Sequence, residues 1–243
     1  MTAANEGALG IAVIGAGGRM GRFACELIER TPELVVVAAI TSQDDLEQRL
    51  EECDARVGLD VTRAGLGTLH GMTMLEAGVR PVIGTSGVSA AETETLDRRA
   101  RELGLGGIVV PNFSLGMWLL QKAALLAAAH LPSVEILELH HDKKRDAPSG
   151  TALDTAERIR AVRPVRPRTA EEAARSEEIP IHSVRLPGLY AHQEVLFGSV
   201  GETLTLRHDM NGPEAFGPGL VAALRYAATA TGVARGIGTV FER

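Results

Sequence analysis

The sequence has few cysteines, few aromatic side chains and no long apolar run. Its two cysteines, Cys25 and Cys53, show no metal-ligand spacing. Two cysteines are too few for a disulfide framework, so a reducing cytoplasm is the simplest compartment. Aromatic residues make up only 3% of the chain, which favours α/β packing of small aliphatic side chains. No apolar stretch reaches the roughly 20 residues of a membrane span, so we expect no membrane association.

Positive charge is also scarce, because 25 Lys and Arg residues stand against 31 Asp and Glu residues. This acidic balance argues against a nucleic-acid partner. The first nine residues lack a basic region followed by an apolar core, so no secretory signal is expected.

One segment reverses this acidic balance. Within residues 138–152, five groups that are or can become cationic lie within six positions, namely His140, His141, Lys143, Lys144 and Arg145. They lead directly into a Ser-Gly-Thr helix start, where free N–H groups bind carboxylates. Since His and Lys can act as general acids, the segment suits an anionic substrate that must also receive a proton.

Apolar periodicity in the first half predicts alternating strands and helices. The predicted strands cover residues 11–14, 34–40, 57–61, 82–83 and 108–110. The predicted helices cover residues 19–30, 66–77 and 89–103. This order indicates an open parallel sheet with right-handed crossovers, the α/β arrangement.

The pattern changes after residue 113. Helices are predicted at 115–130, 151–161 and 217–231, and strands at 134–140, 181–186, 193–197 and 203–208. Residues 163–178 carry many charges and two prolines, which predicts a mobile loop. Three consecutive strands without helices between them indicate a mixed or antiparallel sheet.

These patterns predict two domains. A Rossmann-like dinucleotide-binding domain covers residues 1–113 and is completed by 217–243, and an α+β domain with a mixed sheet covers residues 114–216. Alternation in its strands puts Val195 and Phe197 on one face and Leu196 on the other. An exposed apolar sheet face of this kind requires a partner, so we expect an oligomer.

A glycine-rich loop follows the first strand and opens the first helix. It has the form G-x-x-G-x-x-G, with glycines at positions 15, 18 and 21. Glycines let the backbone approach a pyrophosphate, and the helix start supplies N–H groups, so this loop predicts a dinucleotide site rather than a simple turn. ATP is disfavoured because no Gly-Lys-Ser/Thr closes the loop.

The end of the second strand helps to determine whether a dinucleotide site prefers NADH or NADPH. It ends in Ala39-Ile40-Thr41-Ser42, and no acidic residue appears before Asp44. A carboxylate at this position repels a 2′-phosphate, so its absence, with Arg19 in the loop, favours NADPH or the use of both cofactors.

Residues 138–152 resemble the signature of the 4-hydroxy-tetrahydrodipicolinate reductase (dihydrodipicolinate reductase) family, E-[AL]-H-H-x-x-K-x-D-A-P-S-G-T-A, at every fixed position. Gly84-Thr85-Ser86-Gly87 and Pro111-Asn112-Phe113-Ser114 match other family segments in order. The resemblance implies reduction of a cyclic imine dicarboxylate with NADH or NADPH on the diaminopimelate route to lysine. It also implies a homotetramer built through the sheet of the substrate domain.

The resemblance assigns roles by position. His140 and Lys144 would be catalytic, with Lys144 giving a proton and His140 polarising or shuttling. The residues expected to hold the substrate carboxylates are His141, Ser149, Gly150 and Thr151. Those expected to contact the dinucleotide are Gly15, Ala16, Gly17, Gly18, Arg19, Met20, Gly84, Thr85, Ser86, Val110, Pro111, Asn112 and Phe113. The chain departs from the family pattern at the end of the second strand and at Val61-Thr62, where an aromatic-Thr pair is common.

Other interpretations stay open at this point. His140 could be a buried structural histidine, and Ser149, Thr151 and Asn112 could be helix caps only. No metal site is expected, because adjacent strand residues such as His140 and His141 point to opposite faces. His70 has no neighbouring basic residues like those around His140 and is interpreted as an ordinary surface or core histidine. The chain as a whole could act on another amino or imino acid, or sense a dinucleotide without catalysis.

Overall fold

The protein is described here by a computed structural model that covers residues 7–163 and 179–242. Except for its first residue, the loop predicted at 163–178 lies outside the described residues. The chain divides into two units, Met1–Leu115 with Phe216–Arg243, and Gly116–Ala215. No helix in the described part of the chain is both long and apolar enough to cross a bilayer.

The first unit begins with alternating strands and helices. They are β1 (Leu9–Ile14), α1 (Arg19–Glu29), β2 (Leu34–Ile40), α2 (Leu46–Glu51), β3 (Val57–Asp60), α3 (Gly67–Glu76), β4 (Arg80–Ile83), α4 (Ala90–Glu102) and β5 (Gly106–Val109). The next elements are α5 (Leu115–Ala128), β6 (Ser133–His140), α6 (Gly150–Val162), β7 (Ile181–Arg185), β8 (Ala191–Ser199) and β9 (Glu202–Met210). After a 3-10 turn at Pro213–Phe216 come α7 (Gly217–Thr229), β10 (Gly232–Arg235) and α8 (Gly238–Phe241).

The first unit contains a six-stranded sheet of order β10-β5-β4-β3-β1-β2, in which every neighbouring pair is parallel. Its central strands are buried, as continuous apolar runs predict. Because the chain moves outward from β1 in both directions, the strand order reverses there. The carboxyl ends of such strands form the crevice where open α/β sheets bind ligands.

The predicted parallel α/β sheet is confirmed, and the sequence interpretation missed helix α2, strand β10 and the four-residue helix α8. Helix α2 is only six residues long and has one buried side chain, Leu50, so it gives little periodic signal. Strand β10 was missed because the last helix was predicted to continue to residue 231. That helix ends at Thr229, and Gly232 then adopts φ +76 at the start of an added edge strand.

The second unit contains a four-stranded sheet of order β7-β6-β8-β9. Strand β6 pairs in parallel with β7 and antiparallel with β8, so the predicted mixed sheet is confirmed. Helices α5 and α6 pack on one face, and the core between them includes Ile136, Ile159, Val195 and Phe197. Val195 and Phe197 are buried on this face, whereas Leu196 lies on the opposite face, as strand alternation predicts, and no helix among the described residues covers that opposite face.

Candidate active site

The predicted glycine loop lies between β1 and α1 and requires its glycines. Gly15 has φ +90, a conformation that L side chains rarely adopt, and its N–H donates to the Ile40 carbonyl at 2.9 Å. A Cβ on Gly21 would lie 2.1 Å from the Gly15 carbonyl oxygen, so the backbones meet too closely for any other residue. Gly18 is the N-cap of α1 and no side chain caps the helix in the described structure, so its first N–H groups are open to an anion.

A carboxylate lies near the end of β2, although the last residues of the strand are not acidic. Asp44 turns back so that its Oδ2 accepts hydrogen bonds from the Thr41 N–H at 2.7 Å and the Thr41 hydroxyl at 2.8 Å. The first of these bonds is the main reason that the pKa of Asp44 is lowered. Thr41 borders the glycine loop, because a Cβ on Gly17 would lie 3.7 Å from its methyl group. The turn therefore places a carboxylate at the end of β2, where the sequence itself has no acidic residue.

A buried carboxylate, Asp60, links the loop after β3 to the predicted cofactor loop after β4. Asp60, at the end of β3, is fully buried and accepts from the Thr62 N–H at 2.9 Å and the Thr62 hydroxyl at 2.6 Å. It also contacts the Thr85 hydroxyl at 3.4 Å and His70 Nδ1 at 3.2 Å. His70 therefore supports the loops after β3 and β4, a role that the sequence interpretation did not give it.

The loops after β4 and β5 also contact each other. A Cβ on Gly84 would lie 2.6 Å from the Phe113 ring, so only glycine allows this approach. The Val110 N–H donates to the Ile83 carbonyl at 2.8 Å, which fixes the beginning of the second loop. Asn112 Oδ1 accepts from the Ser114 N–H at 2.9 Å just before α5, so the capping interpretation of Asn112 matches its geometry.

These loops together fit a dinucleotide. The predicted residues fall on three loops, after β1, β4 and β5, at the carboxyl edge of the parallel sheet where such ligands bind. The uncapped start of α1 suits a pyrophosphate, since N–H groups and the helix dipole both favour negative charge.

In the second unit, His140 ends β6 beside a fully buried glutamate. Its Nδ1 lies 2.5 Å from Glu138 Oε2, and the His140 side chain keeps 15% of its exposure. Burial lowers the pKa of the imidazole, against the attraction of Glu138, and the positive charges of Lys144 and Arg185 lower it further. The ring is therefore neutral near pH 7, with Nδ1 donating to Glu138 and Nε2 left as the acceptor.

Arg185 on β7 completes the surroundings of Glu138. Its Nη1 and Nη2 donate to the two carboxylate oxygens at 2.9 and 2.7 Å, and Nη2 also donates to the Asp146 carbonyl at 2.7 Å. Burial opposes the ionisation of Glu138. Hydrogen bonds from Arg185, Ser183 and His140 outweigh that effect, so the pKa of Glu138 is lowered.

Lys144 lies in the segment that follows β6. Its Nζ contacts Asp146 Oδ2 at 2.6 Å, and this bond is the main reason that the pKa of Asp146 is lowered. The neighbouring Lys143 and Arg145 are exposed, as expected for solvated residues that add only to the local field.

The Ser-Gly-Thr segment begins helix α6. Ser149 is its N-cap and accepts from the Ala152 N–H at 3.2 Å, so the capping interpretation of Ser149 agrees with its geometry. A Cβ on Gly150 would meet nothing within 4 Å, which leaves the backbone open to a ligand. The N–H groups of Gly150 and Thr151 stand in the first helical turn, where a carboxylate is favoured.

The structure brings Glu138, His140 and Ser149 together and adds Arg185, which the sequence interpretation missed. Glu138 could have been found, because it opens the signature segment with alternation that places it on the same face as His140. Arg185 could not, since it is opposite His140 only through the parallel register of β6 and β7, 45 positions later in the chain. His141 directly follows the end of β6 and is half-buried.

Known proteins are similar to this chain in sequence and in fold. Residues 9–113 match the family described as Dihydrodipicolinate reductase, N-terminus, and residues 116–239 match Dihydrodipicolinate reductase, C-terminus. The chain belongs to the dihydrodipicolinate reductase family. This family reduces 4-hydroxy-tetrahydrodipicolinate with NADH or NADPH on the diaminopimelate route to lysine, and the chain is an oxidoreductase of this class.

Individual relatives cover most of the chain. The 4-hydroxy-tetrahydrodipicolinate reductase of Halalkalibacterium halodurans is 43% identical over 86% of this chain and 90% of its own length. The enzyme of the same name from Legionella pneumophila is 41% identical over 93% of this chain and 97% of its own length. The solved structure of a dipicolinate-bound dihydrodipicolinate reductase from a Paenisporosarcina species has a TM-score of 0.81, with 35% identity, and covers 96% of this chain and 99% of that one.

Proposed function

We propose that His140 and Lys144 carry out the proton chemistry of the family reaction in this chain. The reaction needs one hydride and one proton, and water leaves from the carbon that bore the hydroxyl. When bound, the reduced nicotinamide supplies the hydride. Lys144 gives the proton to the neighbouring ring carbon, because its ammonium group is held by the exposed carboxylate of Asp146 alone among the described residues and can turn to a substrate.

His140 polarises the substrate or shuttles the proton. Its Nδ1 is occupied by Glu138, which leaves Nε2 as the nitrogen able to face a substrate. The lowered pKa of His140 keeps this nitrogen unprotonated near pH 7, so it can accept a proton and return it.

The substrate carboxylates bind at the start of α6. Ser149, Gly150 and Thr151 offer N–H and hydroxyl groups there, and His141 supplies a further donor. A ring with two carboxylates fits this donor set, and the Paenisporosarcina relative was solved with dipicolinate. We extend that chemistry to this chain as part of the proposal.

Both nicotinamide cofactors are used within about tenfold of each other, a difference of about 1.4 kcal/mol. The residues that hold the dinucleotide are Gly15, Ala16, Gly17, Gly18, Arg19, Met20, Gly84, Thr85, Ser86, Val110, Pro111, Asn112 and Phe113. Asp44 favours NADH, because a carboxylate beside Thr41 binds ribose hydroxyls and repels a 2′-phosphate. Arg19 is exposed in the glycine loop and favours NADPH.

The functional protein is a cytoplasmic homotetramer. None of the described helices covers the sheet face of the second unit that carries Leu196, and a second copy of the chain would bury this face. Both cysteines are free thiols, which suits a reducing compartment.

A single observation carries the proposal: His140 and the open start of α6 converge on one buried carboxylate, Glu138, which also holds the Lys144 segment through Arg185. The test is turnover of substrate made by the preceding synthase reaction, with NADH and with NADPH. Loss of absorbance at 340 nm that requires this substrate supports the proposal. Binding of either nicotinamide without turnover would instead indicate a dinucleotide sensor, and turnover of other imino acids alone would indicate a different dehydrogenase.

A further inference from the structure

A fully buried carboxylate is costly unless its oxygens are well paired. Both oxygens of Glu138 are paired: Oε1 accepts from Arg185 and from the Ser149 N–H at 3.3 Å, and Oε2 accepts from Arg185 and His140. The end of β6, strand β7 and the start of α6 therefore meet at the Glu138 carboxylate. A carboxylate that only filled space would be replaced by an apolar side chain at lower cost.

The first link fixes the tautomer of His140. An ionised carboxylate can only accept hydrogen bonds, so Nδ1 must carry the proton that lies between it and Glu138. The neutral ring then presents Nε2 without a proton. This is the arrangement by which a buried carboxylate orients a histidine in serine hydrolases.

The second link runs to the lysine segment. Arg185 is held by Glu138 through two bonds and itself donates to the Asp146 carbonyl. The carboxylate of Asp146 in turn receives Lys144 Nζ. The backbone from which Lys144 extends is therefore tied to Glu138 through one guanidinium group.

We propose that Glu138 is the positioning residue of this site, which fixes the His140 tautomer and holds the Lys144 segment and the α6 start in one arrangement. This inference rests on the proposed roles of His140 and Lys144. Glu138 itself has no exposed surface and touches no substrate, so it acts through its neighbours.

The decisive variant is Glu138→Gln, read by ¹⁵N NMR of His140 in the free protein. A glutamine has one acceptor oxygen. At the Oε1 position this oxygen keeps the bonds from Arg185 and from the Ser149 N–H, neither of which can become an acceptor, and the amide NH₂ then faces His140, whose ring can change its tautomer. Nδ1 must then accept, and the ring should change from the Nδ1–H to the Nε2–H tautomer. His140→Gln identifies the resonances, and Glu135→Gln, which removes an exposed Glu–His contact on the same strand, should leave them unchanged.

Kinetics provide the second measurement. Glu138→Gln should lower kcat about 10- to 100-fold, while the Kd for NADH stays within about twofold. In a His140→Gln background the same change should lower kcat by a smaller factor than it does in the wild-type background, because one of the two groups through which Glu138 acts is gone and only the link to the Lys144 segment remains. Glu102→Gln, which removes an exposed carboxylate from α4 in the other unit, is the control and should keep kcat at the wild-type value.

Three results would overturn the proposal: a wild-type ring in the Nε2–H tautomer, an unchanged tautomer with kcat within about threefold in Glu138→Gln, or effects of Glu138→Gln and His140→Gln that simply multiply. If Glu138→Gln does not fold, Glu138→Asp keeps the charge but withdraws the carboxylate by about 1.5 Å. Wild-type kcat in that variant would equally overturn it. The tautomer is read without substrate, so a failed turnover assay would refute the proposed function without deciding this inference.

Discussion

His140 and Lys144 are each held by a carboxylate, but the two carboxylates differ in exposure. Glu138 is fully buried, whereas the Asp146 side chain is 60% exposed. An exposed ion pair contributes only about 0–1 kcal/mol, so Lys144 can leave Asp146 at little cost. The buried histidine is a fixed group, and the lysine is the group able to move toward a substrate.

Replacement of Lys144 tests its role as the acid. Lys144→Ala should lower kcat by about 10²–10⁴ and leave NADPH binding unchanged, because the cofactor loops lie in the other unit. Lys143→Ala is the matched control and should behave as wild type. Turnover of a folded Lys144→Ala protein within about threefold of wild type would remove Lys144 from the mechanism.

The pKa shifts predict that acid weakens the fold. The pKa of His140 lies below its ordinary value of 6.5, so as pH falls through that value the unfolded chain binds a proton that the folded chain does not. The pKa of Glu138 lies below 4.5, so its contribution is present above that value and is lost at lower pH. The free energy of unfolding should fall from about pH 7 downward, measured by denaturant titration at several pH values. In His140→Gln the decline near pH 6 should be smaller. An identical decline in both proteins would contradict the assignment.

Asp44 and Arg19 should act in opposite directions on cofactor choice. Asp44→Asn should raise the ratio of kcat/KM for NADPH to that for NADH, because it removes a charge that repels the 2′-phosphate. Arg19→Ala should lower the same ratio. We expect changes of about tenfold, or about 1.4 kcal/mol. If both variants move the ratio in one direction, the effect is a general weakening of the loop.

At the scale of elements, the proposed function assigns carboxylate binding to the start of helix α6. Pyridine-2,6-dicarboxylate should bind at this site, and Thr151→Val should weaken it by roughly 1.5–3 kcal/mol, since a charge-assisted bond is lost. Thr151→Ser keeps the hydroxyl and should restore most of the affinity. Calorimetry that finds equal affinity in all three proteins would mean that the helix start is only a cap.

The elements also show how far the sequence predicted the molecule. Strand β2 and the periodic helix α1 were predicted within one residue, because each has a long apolar pattern within one local segment of the sequence. Helix α2 and strand β10 were missed, since their short lengths leave no periodic signal. The site followed the same rule. His140 and the residues after it were found in one local segment, whereas Arg185 reaches Glu138 only through strand pairing, and Asp44 only through a turn.

At the scale of the whole molecule, we expect assembly to use the sheet face of the second unit that carries Leu196. Leu137, Leu139 and Leu196 lie on this face and are only partly buried, while the opposite face is closed by α5 and α6. A face of this kind, with apolar side chains between charged ones, is typical of an interface between copies.

We expect a homotetramer in light scattering at micromolar concentration, and Leu196→Glu should yield smaller species with the fold retained, because a charge would be buried at the interface. Val200→Glu is the control, since Val200 lies fully exposed in the turn between β8 and β9 and should not change the mass. If assembly also supports the sheet on which His140, Glu138 and Arg185 are arranged, kcat should fall together with the mass in Leu196→Glu. A wild-type protein that is monomeric and fully active would contradict this, because the open face would then have no partner and the site would need none.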